Sequence, residues 1–206
     1  HRVAPAEHGR EVHPRDRLVV LYMHFLYNIM LPTKNRRDRH RALALEHAAD
    51  WGDDWFLLGE QAFIATEAGE HAESRTLAER ALTARPENAP AAHAMAHALL
   101  ETGAASEGRD WLGNWLEDWG GASTSRCHLT WHLALLELAD DDSVAAARRL
   151  DAILDEANPP LGALSDGASL MWRLHLEGWP EPLPWLTLEH SPVPPGLVFG
   201  ALHRAF

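Results

Sequence analysis

The sequence has only one cysteine, Cys127, so no disulfide can form within the chain. That usage fits a reducing, cytoplasmic setting. No apolar run approaches the ~20 residues needed to span a bilayer. The stretch from Leu18 to Leu31 is too short and carries His24 and Asn28. Positive charge is scarce, with 18 basic against 30 acidic residues and a net charge of -12. A surface that neutralises phosphates is therefore not expected, nor a nucleic-acid partner. Runs of alternating β-branched residues are missing, which argues against a sheet. There is no phosphate loop, no dinucleotide fingerprint and no Gly-x-Ser-x-Gly elbow. No signal-peptide pattern opens the chain, which starts at His1 rather than methionine and reads as a processed form or as part of something longer.

What is present is a period. Gly69 lies between two amphipathic stretches, and Gly103 lies 34 positions later in the same setting. Glycine there can take the left-handed conformation that closes a helix. Ala62 and Ala96 match as small residues where paired helices approach, and Ser74 and Gly108 match likewise. Ala81 and Pro86 stand where one unit ends and the next begins, since proline has no amide hydrogen to continue the helix. A period of 34 with these landmarks predicts an all-α, tetratricopeptide-like array of antiparallel helix pairs in a right-handed superhelix.

The expected organisation is one helical-repeat domain over residues 1–206. Its units span approximately 14–49, 54–86, 89–119 and 124–156, with divergent helices over 163–206. In the third 34-residue unit the run Asp140, Asp141, Asp142, Ser143 replaces the glycine turn, and Ser143 is the expected cap of the following helix. Pro159-Pro160 predicts a break before a helix over 164–176. A last helix is expected over 197–206, with its apolar end covered by further chain or by a second copy.

Two histidine pairs carry the possible chemistry. His93 and His97 are four apart on one predicted helix, and His128 and His132 are four apart on another. Four-residue spacing places each pair on one helix face. Both helices come first in their units and are expected to line the concave groove, so the four imidazoles could converge and bind zinc, copper or iron. The competing reading has these histidines and Trp131 filling the helix interface, bonded to backbone or carboxylates. Asp151 and Asp166 are candidates to orient an imidazole. His24 is a further groove candidate or a core histidine with a polar partner. Trp111, Trp115 and Trp119 recur every four residues and predict packing between repeats or an aromatic wall. The basic run Lys34, Arg36, Arg37, Arg39, His40, Arg41 reads as a solvated turn and helix start.

The blocks Ala92-His93-Ala94-Met95-Ala96-His97-Ala98-Leu99-Leu100-Glu101-Thr102-Gly103 and Cys127-His128-Leu129-Thr130-Trp131-His132-Leu133-Ala134-Leu135, followed by Leu150-Asp151, resemble the tetratricopeptide repeat protein 38-like family. His13-Pro14-Arg15-Asp16 is similar to the family's first repeat, and the run from Asp166 to Leu174 to a later helix. The resemblance implies the repeat fold, and a chain that forms the middle of a longer array. It implies no reaction. Two functions remain open: a scaffold that takes a protein or peptide ligand and can self-associate as a homo-oligomer, or a metal-binding protein or small-molecule enzyme built on the histidines.

Overall fold

The structure, a computed structural model, describes residues 8–9, 11–27, 35–123, 125–155 and 160–183. Among them every regular element is a helix, and there is no strand. The chain divides into two compact units, His1–Ala98 and Leu99–Phe206.

The first unit holds α1 (Arg17–Phe25), α2 (Arg36–Trp51), α3 (Trp55–Ala68) and α4 (His71–Ala84). It also holds most of α5 (Ala89–Glu101). Local chemistry sets the boundaries. The Asp16 carboxylate accepts from the amides of Leu18 and Val19, and Asp54 does the same for Phe56 and Leu57. Each satisfies donors that a helix start leaves open. α3 and α4 form the most extensively packed pair. They can approach closely because Ala62, Ala78 and Ala81 are fully buried small residues. The Thr66 and Ser74 hydroxyls meet across the pair at 2.7 Å. Asn88 then starts α5: its Oδ1 accepts from the Ala91 amide, and its Nδ2 donates to the Trp55 carbonyl.

The second unit holds α6 (Ala105–Asp118), a 3-10 turn (Gly120–Ala122), α7 (Arg126–Ala139), α8 (Ser143–Ile153) and α9 (Pro160–Leu176). Its core gathers Ala134, Leu150, Ile153, Leu164, Leu170, Met171 and Leu174, with Trp131 and Trp179 packed against them. A fully buried leucine such as Leu170 contributes ~1.5–3 kcal/mol relative to exposure.

The 34-residue spacing appears in the helix starts, from Trp55 to Ala89 and from His71 to Ala105. The turns inside the helix pairs repeat as well. Gly69 sits at φ 78° and Gly103 at φ 75°, and in each case the next amide reaches back to a carbonyl five residues earlier. Asp141 takes the same role at φ 60°, with the Asp142 amide bonded to the Glu137 carbonyl. An aspartate tolerates this conformation better than most side chains.

Several expectations need correction. The cap of α8 is Asp142, whose carboxylate accepts from the Ala145 amide; Ser143 is already helical. α7 starts at Arg126, after the turn Gly120–Ala122. α9 starts at Pro160 rather than 164, since a proline at the first helical position loses no bond. The tryptophan stripe is not one packed surface: Trp115 is buried, Trp111 is half-buried, and Trp119 lies beyond the end of α6 and is exposed. The helix expected over 197–206 lies outside the described residues.

Candidate metal centres

In the first unit, three helices bring three donor groups to one point. His24 comes from α1, His40 from α2 and Glu60 from α3. All three are buried, at 0%, 5% and 7% exposure. His24 Nδ1 lies 2.7 Å from His40 Nε2 and 3.3 Å from Glu60 Oε2, and His40 Nε2 lies 3.5 Å from the same oxygen. The cluster has the geometry of a possible metal site, with all ligand atoms within 4.8 Å of one another. Phe56 and Tyr27 wall it: the Phe56 ring stands edge-on to His24 at 5.8 Å, and Tyr27 stacks on His40 at 5.9 Å.

The electrostatics of the cluster follow from this geometry. Burial pushes the Glu60 carboxyl toward its neutral form, but hydrogen bonds and charge from His24 and His40 outweigh it and hold the pKa at about 2. Burial lowers His24 below the usual imidazole value, against the opposing pull of Glu60. An ionised carboxylate beside a neutral imidazole is the protonation state that metal binding requires. His24 Nε2 is buried with no hydrogen-bond partner among the described residues.

The residues of this cluster were only partly visible beforehand. His24 was a candidate, and it has polar partners. His40 was assigned to a solvated basic run, yet it is buried. Arg37, Arg39 and Arg41 of that run do face solvent, with Arg37 paired to Glu67 and Arg41 to Glu70. The signal was its register: His40, Leu43, Ala44 and His47 fall at helical spacing, and all four are buried. Glu60 was missed. It is the only acidic residue of α3 before the last turn, in a run from Trp55 to Ile64 whose one other polar side chain is Gln61.

The four-residue histidine pairs come together as pairs. In the first unit, His93 and His97 of α5 bring their Nε2 atoms to 3.1 Å, and Phe63 stacks on His93 at 5.8 Å. In the second unit, His128 and His132 of α7 bring their Nε2 atoms to 3.2 Å. Asp166, from α9, accepts from His128 Nδ1 at 3.0 Å. Asp166 is a buried mid-helix residue. Asp151 is exposed near the end of α8, and it is Asp166 that meets the imidazole. Trp131 stacks on His128 with centroids 5.2 Å apart.

Two neighbouring reactive groups are already engaged. Glu137 is buried and bound by Arg149 through both carboxylate oxygens. Cys127 is buried with its Sγ near the Ile153 carbonyl, and burial pushes its pKa up to about 11.

No family model matches the chain, and no solved structure matches it. Among the described residues no helix is long and apolar enough to cross a membrane.

Proposed function

We propose that this chain is a metal-binding helical-repeat protein with a transition-metal centre at His24, His40 and Glu60. One observation carries the reading: three donor atoms from three helices form a buried triangle with edges of 2.7, 3.3 and 3.5 Å. Zinc bonded tetrahedrally at ~2.0–2.1 Å requires ligand-to-ligand edges of about 3.3–3.4 Å. Two edges fit as they stand, and the third has to open by about 0.6 Å, within the rotation of two imidazoles. Two histidines and a glutamate are a known ligand set for catalytic zinc, in which a fourth position takes water. The same donors suit iron(II) when they occupy one face of an octahedron.

Energetics support this reading over a purely structural polar cluster. A buried carboxylate is expensive to desolvate, and neutral imidazoles compensate its charge only through hydrogen bonds. A metal ion supplies a compensation that the protein groups alone do not.

We further propose that the helix pairs are tetratricopeptide-like units, which the 34-residue spacing supports, and that the resemblance to the tetratricopeptide repeat protein 38-like family is real. Peptide capture and self-association stay as expectations of the repeat pattern. The metal reading is preferred because a built set of donors supports it.

The test uses the full chain, purified without a histidine tag and stripped with a chelator. Zinc uptake is measured by competition with a chromophoric chelator. Cobalt substitution is followed through its visible d–d bands. The Glu60→Gln variant, checked for helicity by circular dichroism, should lose one equivalent of zinc. A wild-type chain that takes up no zinc at micromolar concentration refutes the proposal. So does a folded Glu60→Gln variant that binds as much as wild type.

A further inference from the structure

The second unit carries a different arrangement, and we infer that His128 and His132 supply two ligands of a second, accessible metal site and are held in register by Asp166. The two imidazoles are one helical turn apart on α7. Their Nε2 atoms are 3.2 Å apart, close to the ~3.3 Å edge that two nitrogens span on a tetrahedral zinc ion. The Asp166 carboxylate lies 3.0 Å from His128 Nδ1 and accepts its hydrogen, which leaves the lone pair on Nε2, facing His132. A carboxylate behind a ligating histidine fixes its tautomer and ring plane and makes it more basic. The Trp131 ring lies nearly parallel to the His128 ring, at 21°, and limits its rotation. The Arg173 guanidinium lies over the Trp131 ring, 5.9 Å from its centroid.

Exposure separates this site from the Glu60 centre. The His128 side chain is 42% exposed, whereas His24 is fully enclosed. The exposed edge of His128 gives water, or an oxygen-donor ligand such as a carboxylate, access to a metal held there. The site is therefore suited to exchangeable metal, and to a small ligand that meets the metal directly. Binding also requires a tautomer change. Without metal, His132 Nε2 donates its hydrogen to the lone pair of His128 Nε2. With metal, both Nε2 atoms present lone pairs, and the hydrogen of His132 moves to Nδ1.

The experiment again uses the tag-free, metal-stripped full chain, with zinc as the probe. His128→Gln is expected to fold, since that side chain is half in solvent, and to lose one equivalent of zinc. Asp166→Asn is expected to keep the equivalent but bind it 10–100-fold more weakly. Nitrogen-15 imidazole shifts should show His132 passing from the Nε2–H to the Nδ1–H form as zinc is added. The proposal is overturned if His128→Gln keeps wild-type stoichiometry and affinity, or if the His132 tautomer does not change at saturating zinc. An Asp166→Asn variant with unchanged affinity removes the positioning role. These outcomes are independent of the Glu60→Gln result, so either centre can fail without the other.

Discussion

Helix α6 contains two interior glycines, Gly108 and Gly113, and replacing each by alanine should have opposite effects. A Cβ at Gly108 would sit 2.6 Å from Leu136 Cδ2 and 3.1 Å from Leu99 Cβ. Both leucines are fully buried. The Leu136 side chain can yield only within the core that encloses it, and the Leu99 Cβ is fixed to a helix backbone. At Gly113 a Cβ would meet nothing within 4 Å. Each substitution gains about 0.5–1 kcal/mol from replacing glycine inside a helix. Gly108→Ala also incurs overpacking of about 1–3 kcal/mol. Gly113→Ala should therefore stabilise by about 0.5–1 kcal/mol. Gly108→Ala should be less stable than Gly113→Ala by the overpacking alone, about 1–3 kcal/mol. Urea unfolding followed by circular dichroism gives the midpoints, and an unchanged m-value shows that stability has changed rather than the unfolded state. Amide exchange in α6 gives a local check. If Gly108→Ala unfolds at or above the Gly113→Ala midpoint, the close approach of α6 to Leu136 is wrong, and so is the match of Gly108 with Ser74 across the repeat.

Two further outcomes test the local chemistry. Asn88→Ala removes the α5 cap and the bond to the Trp55 carbonyl, and should lower stability by about 1–2 kcal/mol in the same urea assay; a midpoint within error of wild type counts against the cap. Cys127 should resist iodoacetamide at pH 8 in the native chain and react in urea, because its thiol is buried and stays protonated; rapid native labelling, read by mass spectrometry, contradicts the packing of α7 on α8.

Much of the helical plan was legible because its markers act locally. Gly69 and Gly103 end helices through a backbone conformation that costs other residues energy, so their spacing reports the period directly. Asp54 marks the start of α3 because a short acceptor beside free amides has few other uses. The third turn was harder to read, because Asp141 performs the glycine's role with a side chain attached and Asp142 takes the cap expected of Ser143. The histidine pairs were legible for the same reason as the turns. Residues four apart on a helix are neighbours whatever the rest of the chain does, and both pairs do meet.

The Glu60 cluster was not legible, and the reason is physical. His24, His40 and Glu60 are separated by 16 and 20 positions on three helices, so no local spacing rule connects them. Each follows a pattern that ordinarily means something else: an aromatic-flanked histidine, a histidine in a basic run, and a glutamate in an apolar helix. What connects them is burial. A carboxylate inside the apolar face of α3 needs cationic or hydrogen-bonding partners at short range. The neighbouring helices of the same unit offer polar side chains on their own buried faces at His24, His40 and His47. His47 is already engaged, with its ring nitrogens at the Leu43 and Pro14 carbonyls. That leaves His24 and His40 for Glu60. A misplaced acid on an apolar face, set beside misplaced histidines on two neighbouring apolar faces, thus points to a centre that motif spacing cannot find.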